Sequence, residues 1–141
     1  VSQRFLINLM EWELQQKVLL DLMARLKPGG QLLMLEGSQP GVDSLNELRA
    51  AFGLDPIPVQ WHNLFFDDER LVAFMSENGF SLVDEDGLGT YFALTRGIRP
   101  ALDKALNWDA PFNGIAASDE MRDLLGFDTK FSRLKLWAFQ K

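Results

Sequence analysis

Near its start, the chain places an amphipathic segment, a proline–glycine stop and an apolar run one after another. Residues 11–26 carry apolar side chains at helical spacing, namely Leu14, Val18, Leu22 and Leu26 with Leu19 and Met23 beside them. This pattern predicts a helix with a wide apolar face. Lys27-Pro28-Gly29-Gly30 ends it, because proline cannot continue a helix and glycine adopts a positive φ without strain. Residues 31–36 then contain four consecutive apolar residues, which is typical of a strand buried on both faces in a parallel sheet.

The rest of the chain alternates between helical and extended patterns. Helices are predicted at 44–52, from Asp67 or Asp68 to Asn78, at 90–106 with a break at 97–100, and at 118–125. Strands are predicted at 80–84 and 131–140. The predicted loops are 37–43, 59–65 and 107–117. Ser44-Leu45-Asn46-Glu47 has the spacing of a capping box. The alternation predicts an α/β fold. In doubly wound folds of this class, ligands bind beyond the carboxyl ends of the strands.

Residue counts exclude several kinds of chemistry. The chain has 141 residues, no cysteine, one histidine and a net charge of −6, and this length suits one domain. Without cysteine there is no disulfide, thiolate nucleophile, zinc finger or iron–sulfur ligation, and one histidine excludes a His-rich metal site. No Lys/Arg cluster stands out and no apolar run approaches the roughly 18 residues of a membrane span, so we expect neither nucleic acid nor membrane as a partner. Without a targeting segment, the expected location is cytoplasmic.

Several stretches resemble class I S-adenosylmethionine-dependent methyltransferases. Leu26-Lys27-Pro28-Gly29-Gly30 before an apolar strand is similar to the segment that precedes the fifth strand of that family. Residues 4–9, with Trp12, Glu13 and Gln15, resemble the stretch after the fourth strand in one branch of it. Further resemblances to this branch follow in order along the chain: 45–49, Gly53-Leu54, Trp61-His62-Asn63, Gly79-Phe80, 91–96 with Pro100, and Pro111-Phe112-Asn113.

The resemblance implies the C-terminal half of a Rossmann-like methyltransferase domain, spanning residues 1–141. The family binds its cofactor mainly through a glycine-rich loop after the first strand and an acidic residue ending the second, and neither is present here. Gly87-Leu88-Gly89 lacks the spacing of that loop. We therefore expect the N-terminal half of the same chain to be missing and the piece alone to be inactive. The resemblance also implies a mixed sheet whose last strand is antiparallel and lies between the 31–36 and 80–84 strands.

The implied activity is methyl transfer from S-adenosylmethionine to a small-molecule or sugar acceptor. His62 is the only side chain with an unperturbed pKa near neutrality, and an acceptor must lose a proton, so His62 is the candidate base. Trp61 and Asn63 beside it are candidate acceptor contacts. The structural alternative is that His62 braces its loop through hydrogen bonds. Asp67-Asp68-Glu69 is explained by helix capping, so no metal site is predicted.

Glu36 is the second candidate catalytic residue, because it ends a predicted buried strand and buried carboxylates are rare unless paired. Its alternative is a strand-end carboxylate that is exposed to solvent or paired with Arg4 or Arg49. By resemblance, the loop that contains Gln3 and Arg4 faces the cofactor, although Arg4 equally suits a salt bridge within the fold.

Tyr91 and Arg96 are candidate acceptor contacts, because the matching region of the family helps cover the acceptor site. A phenol hydroxyl and a guanidinium suit an acceptor that carries a carboxylate or phosphate. The alternative for Arg96 is a surface arginine at the end of an amphipathic helix.

Two other function classes stay open at this point. The chain could belong to a non-catalytic, methyltransferase-like module used for protein contacts. An intact cofactor loop upstream of Val1 would support catalysis, and a decayed loop would support the module. A nucleotide-dependent oxidoreductase is the third class, since Rossmann-like halves are similar in sequence pattern.

Overall fold

The computed structural model describes residues 1–103 and 109–141. In these ranges the chain is α/β, with an open mixed sheet of four strands. The strands are β1 (Ser2–Gln3), β2 (Gln31–Gly37), β3 (Ser81–Gly87) and β4 (Leu134–Gln140). The helices are α1 (Trp12–Ala24), α2 (Gln39–Ala51), α3 (Asp68–Glu77), α4 (Gly89–Phe92), α5 (Arg99–Leu102), α6 (Pro111–Ala116) and α7 (Asp119–Leu125), with a 3₁₀ turn at Leu6–Asn8 and a π turn at Ala93–Ile98.

The strands lie in the order β1-β2-β4-β3. β1 is parallel to β2, whereas β4 is antiparallel to β2. The expected position and direction of the last strand, between the 31–36 strand and the strand near 80–84, are therefore confirmed. Gly37 of β2 pairs with Leu134 of β4, so the carboxyl ends of β1 and β2 and the amino end of β4 meet at one edge of the sheet. This edge is called the carboxyl edge below.

The chain divides into two compact units, and the whole sheet except Gly87 lies in the first: Val1–Gln39, Val59–Asp86 and Leu134–Lys141. On one face of the sheet the buried side chains are Leu32, Met34, Trp137 and Phe139. Edge-to-face ring contacts join Trp12 of α1 to Phe66 and Phe66 to Trp137, with centroids 6.3 Å apart in both pairs. On the other face of β2, Leu33 and Leu35 are half-buried, so the predicted burial on both faces is only partial on this side.

Helix α1 lies within the predicted range but buries a different stripe. Gln15, Leu19 and Met23 are its buried residues, whereas Leu14 is exposed. The stripe therefore runs one position further along the chain than the predicted Leu14-Val18-Leu22 repeat. A buried glutamine is accepted there because its side-chain amide hydrogen-bonds to backbone carbonyls.

Helix α2 begins at Gln39, inside the predicted loop 37–43, so that prediction is wrong. Proline is tolerated in the first helical turn, where its missing N–H has no intrahelical partner, and Pro40 occupies that turn. Asn46, which the capping-box interpretation placed in a first turn, instead exchanges side-chain hydrogen bonds with the backbone of Ile57, at 2.8 and 3.1 Å. The predicted loop 107–117 contains α6 in its described part, while Asn107 and Trp108 lie outside the described residues.

Other local predictions are confirmed. Helix α3 begins after Asp67, whose carboxylate accepts a hydrogen bond from the Arg70 N–H at 2.9 Å. Helix α7 begins after Ser118, whose hydroxyl accepts one from the Met121 N–H at 3.3 Å. The strand expected at 80–84 extends to Gly87 as β3, and the 131–140 strand begins at Leu134.

The second unit comprises Pro40–Pro58 and Gly87–Arg133. Its central helical segment runs from Gly89 to Leu102 through the π turn, which confirms the predicted helix over that range. Leu106, the predicted end, lies outside the described residues. Where a break was expected at 97–100, the segment instead continues from the π turn, which ends at Ile98, into α5, which begins at Arg99. Gly97 lies so close to Leu48 of α2 that a Cβ would come within 2.6 Å of its side chain, which explains the glycine in this segment.

Candidate functional site

Glu36, the last side chain before the end of β2, is fully buried at the carboxyl edge. Its carboxylate accepts hydrogen bonds from the backbone N–H groups of Phe5, Leu6 and Ile7, at 3.1, 3.2 and 3.4 Å, and from the Ser2 hydroxyl. Among the described residues its partners thus come from 2–7 rather than from an arginine side chain. The solvent-exposed alternative is wrong, and the contacts make Glu36 the anchor of the chain segment that leaves β1.

Gln3 and Arg4 lie in that segment. Gln3 pairs with Leu35 of β2, and the Arg4 N–H donates a hydrogen bond to the Leu35 carbonyl at 2.8 Å. Arg4 has φ of 47°, a left-handed conformation that turns the chain sharply after β1. Both side chains are exposed. The backbone is therefore fixed while the amide and the guanidinium remain accessible at the carboxyl edge.

The loop that carries Trp61, His62 and Asn63 is tied to the same edge. The Leu64 N–H donates to the Ile7 carbonyl at 2.8 Å. The Gln15 side-chain amide donates to the carbonyls of Leu6 at 3.1 Å and Leu64 at 2.9 Å, which joins both loops to α1. Sequence analysis named Gln15 only as part of a family resemblance and gave it no structural role. The usable signal was its spacing of four residues from Leu19 and eight from Met23, which places it on the buried stripe of α1.

The three predicted residues of this loop differ in exposure. Trp61 is 82% exposed and His62 is also exposed, and their rings meet edge to face with centroids 5.3 Å apart. Asn63 is half-buried, and its side-chain oxygen has no hydrogen-bond partner among the described residues. The imidazole is thus accessible from solvent, next to an aromatic surface and close in sequence to an amide oxygen with free acceptor capacity.

Tyr91 and Arg96 belong to the second unit. The Tyr91 carbonyl accepts a hydrogen bond from the Thr95 hydroxyl at 2.6 Å, and the Arg96 carbonyl accepts one from the Arg49 guanidinium. Both side chains are half-buried. Within the first unit, the structure therefore brings together Gln3, Arg4, Glu36 and the loop 61–63. Tyr91 and Arg96 lie together on the helical segment of the second unit.

A buried lysine at the carboxyl edge was not predicted. Lys135 of β4 pairs in register with Glu36 of β2. Lys135 as a whole residue is 8% exposed. Its ammonium donates to Asp68 at 2.6 Å and to Glu85 at 2.9 Å. The Ser38 hydroxyl also donates to Asp68, at 3.0 Å. The available signal was the alternation that places Lys135 on the same side of β4 as Trp137 and Phe139.

The charge state of Lys135 follows from these contacts. Burial lowers the pKa of its ammonium, but the hydrogen bonds and negative charges of Asp68 and Glu85 raise it by more, so the pKa lies above its ordinary value. Lys135 is therefore a permanent cation at neutral pH and serves the fold as an ion-pair centre.

Within the described ranges, no group of three or more His, Cys, Asp or Glu side chains is arranged to hold a metal ion. No helix there is long and apolar enough to cross a membrane. No protein-family model, curated protein or solved structure matches this chain.

Proposed function

We propose that the chain forms the C-terminal part of a class I S-adenosylmethionine-dependent methyltransferase domain that methylates a small-molecule or sugar acceptor. The observation that carries the proposal is the strand order β1-β2-β4-β3, with β4 antiparallel to β2 and inserted beside it. This is the order that the resemblance of the sequence implied. The accessible side chains gathered at the carboxyl edge are a second support, since ligands of doubly wound sheets bind at that edge.

Gln3 and Arg4 are the residues of this chain that suit the cofactor. Their side chains are exposed while their backbone is fixed against Leu35. A guanidinium pairs with a carboxylate, such as that of the cofactor's amino-acid part, and an amide both donates and accepts hydrogen bonds. When bound, S-adenosylmethionine supplies a methyl group activated by a sulfonium, which is already a good leaving group.

The remaining work of the protein is to orient the acceptor and to take its proton. His62 is the proposed base, because its imidazole is accessible and belongs to a loop that the Leu64–Ile7 hydrogen bond fixes to the carboxyl edge. Trp61 and Asn63 flank it as acceptor contacts. Glu36 has a positioning role in this proposal, since its four hydrogen bonds hold residues 2–7 beside the loop.

Calorimetric titration of the protein at its full natural length with S-adenosylhomocysteine, the demethylated cofactor, tests the proposal. We expect saturable binding, which Gln3→Ala weakens about 5- to 10-fold through the loss of one or two hydrogen bonds. Gln140→Ala is the matched control, because Gln140 is also exposed but pairs with Gln31 at the opposite edge of the sheet. Equal affinities for the two variants would remove Gln3 from the site, and no binding by the wild type would overturn the proposal.

A non-catalytic, methyltransferase-like interaction module is the second candidate. The complete internal hydrogen bonding of Glu36 favours it, because a carboxylate that is fully buried and occupied by Ser2 and three backbone amides has a structural role. The same titration separates the two candidates, since a module without cofactor would leave S-adenosylhomocysteine unbound in wild type and variants alike.

A further inference from the structure

The first unit contains a cavity that the proposed function does not use. It has a volume of about 180 Å³ and lies between the first turns of α1 and α3. Four residues of its wall are accessible to a bound molecule, because Asp67 and Arg70 are exposed and Trp12 and Leu64 are half-buried. The other members of the wall are Gln15, Gln39, Phe65 and Phe66, and all eight residues belong to the first unit.

The two charged groups of this wall have opposite signs. The Arg70 guanidinium lies over the Trp12 ring, 4.6 Å from its centroid, an arrangement that holds the cation in place and leaves its N–H donors available. The Asp67 carboxylate accepts a hydrogen bond from the Arg70 backbone N–H at 2.9 Å and retains capacity for further donors. Among the described residues, neither charge has an ion-pair partner.

These two charges select the charge pattern of a ligand. A molecule with a single charge is attracted by one of the two groups and repelled by the other. A molecule that carries both an ammonium and a carboxylate pairs with both groups through charge-assisted hydrogen bonds, which are stronger than neutral ones. The glutamines of the wall add neutral amides, and the Gln15 amide nitrogen already donates to the carbonyls of Leu6 and Leu64.

The remaining wall determines which side chain such a ligand has. Trp12 and Leu64 offer half-buried apolar surface, and Phe65 and Phe66 add further aromatic groups. An enclosed cavity of about 150 Å³ holds benzene, so about 180 Å³ suits one branched aliphatic side chain or one ring. Removing such a side chain from water is favourable.

We propose that this cavity binds a free α-amino acid with an apolar side chain. Its carboxylate pairs with the Arg70 guanidinium, its ammonium pairs with the Asp67 carboxylate, and its side chain packs against Trp12 and Leu64. This binding requires no methyl transfer and stands independently of the proposed function.

L-leucine is the probe, and the Trp12 indole N–H is the NMR reporter, identified by the loss of its signal in Trp12→Phe. In the protein at its full natural length, we expect leucine at millimolar concentration to shift this signal saturably. 4-Methylpentanoate lacks the ammonium of leucine and 3-methylbutylamine lacks the carboxylate. Each should bind about 10-fold more weakly than leucine, because one charge-assisted pair is lost.

Two variants that each remove one charge test the assignment of the two groups. Arg70→Gln should weaken leucine binding about 10-fold but not weaken 3-methylbutylamine binding, since the ammonium loses a repelling neighbour. Asp67→Asn retains the helix cap, because asparagine caps as well as aspartate, and it should weaken leucine binding while strengthening 4-methylpentanoate binding. Arg25→Gln is the matched control, because Arg25 is exposed at the opposite end of α1, and it should leave leucine affinity unchanged.

S-adenosylhomocysteine separates this inference from the proposed function, because its amino-acid part carries the same two charges. We expect saturating S-adenosylhomocysteine to leave leucine bound. Displacement of leucine would assign the cavity to the cofactor and overturn the inference. A leucine shift that does not saturate, or an unchanged leucine affinity in Arg70→Gln, would also overturn it. Binding of leucine without binding of S-adenosylhomocysteine would contradict the proposed function alone.

Discussion

Individual residues at the carboxyl edge have roles that depend on their burial. The Glu36 carboxylate has no exposed surface and accepts four hydrogen bonds, whereas His62 lies in a backbone turn and is exposed to solvent. A buried carboxylate that is fully bonded resists substitution, because its donors lose their partner. An exposed histidine contributes little packing, so its substitution tests function and not folding.

Glu36→Gln is expected to lower the free energy of unfolding by about 2–4 kcal/mol, because an amide is a weaker acceptor than a carboxylate and turns an N–H group toward backbone N–H donors. Urea unfolding followed by circular dichroism measures the change. Glu77→Gln, the same substitution at an exposed position near the end of α3, should stay within about 0.5 kcal/mol of the wild type. Similar losses in both variants would contradict the anchoring role of Glu36.

For His62, the expected result of substitution is a loss of methyl transfer without a loss of fold. His62→Ala in the protein at its full natural length should reduce turnover about 10²-fold or more, the usual effect of losing a positioned acid or base. His62→Gln keeps a hydrogen-bonding group but no titratable nitrogen, so a similar loss would assign proton transfer to the imidazole. Full turnover with earlier melting in His62→Ala would show that His62 only braces its loop.

At the scale of elements, the glycines that flank Leu88 permit two segments of the second unit to approach closely. The Leu88 N–H donates to the Ser132 hydroxyl at 2.8 Å, and the Gly89 N–H donates to the Asp128 carbonyl at 3.0 Å. A Cβ at Gly89 would overlap the carbonyl oxygens of Phe127 and Lys130. The glycines are therefore explained by packing of the start of α4 against the segment that follows α7.

Gly89→Ala should consequently lower the free energy of unfolding by about 2–4 kcal/mol, since the backbone oxygens around it cannot move aside without shifting the segment 127–132. Gly114→Ala is the control, because Gly114 lies in helix α6 and a Cβ at this position would meet no atom within 4 Å. Alanine at Gly114 should raise stability by roughly 0.5–1 kcal/mol. Chemical denaturation of the two variants measures both effects, and equal signs would contradict this account.

At the largest scale, the fold has its clearest electrostatic contact where Lys135 joins three elements of the first unit. Its ammonium links β4 to Asp68 at the start of α3 and to Glu85 of β3. The side chains of Lys135 and Asp68 are only 10% and 16% exposed, so solvent screens this pair little and removing one partner of it is costly. The Glu85 side chain is 31% exposed, so its pair with Lys135 is screened more. Stability of the whole chain should therefore depend on the charge of this lysine.

Lys135→Met is expected to lower the free energy of unfolding by about 3 kcal/mol at neutral pH, because the largely buried Asp68 carboxylate loses its ion-pair partner. The pKa of Lys135 is raised in the folded state, so its contribution is complete below the unfolded pKa of roughly 10.4 and is lost as pH rises through the higher folded pKa. The stability difference from wild type should thus shrink above that pH, in denaturant titrations at successive pH values. Lys17→Met, at an exposed position of α1, is the control and should change the free energy of unfolding by no more than about 0.5 kcal/mol.

The sequence by itself determined the elements whose signals are local. The helical pattern of α1, the Pro28-Gly29 stop and the cap Asp67 each act over one or two helical turns, and the structure confirms these three elements, although α1 buries a stripe one position further along than predicted. The order of the strands was implied only by resemblance to a family, because strand pairing depends on residues far apart in the chain.

Tertiary structure alone decided which polar groups are buried. That α1 buries Gln15 instead of Leu14 depends on the carbonyls of Leu6 and Leu64, which that glutamine satisfies from two distant loops. The fully buried Glu36 and the nearly buried Lys135 likewise require partners brought together from other elements. The physical reason is that burial of a polar group is favourable only when the complete fold supplies its hydrogen bonds, and local sequence patterns carry no record of those partners.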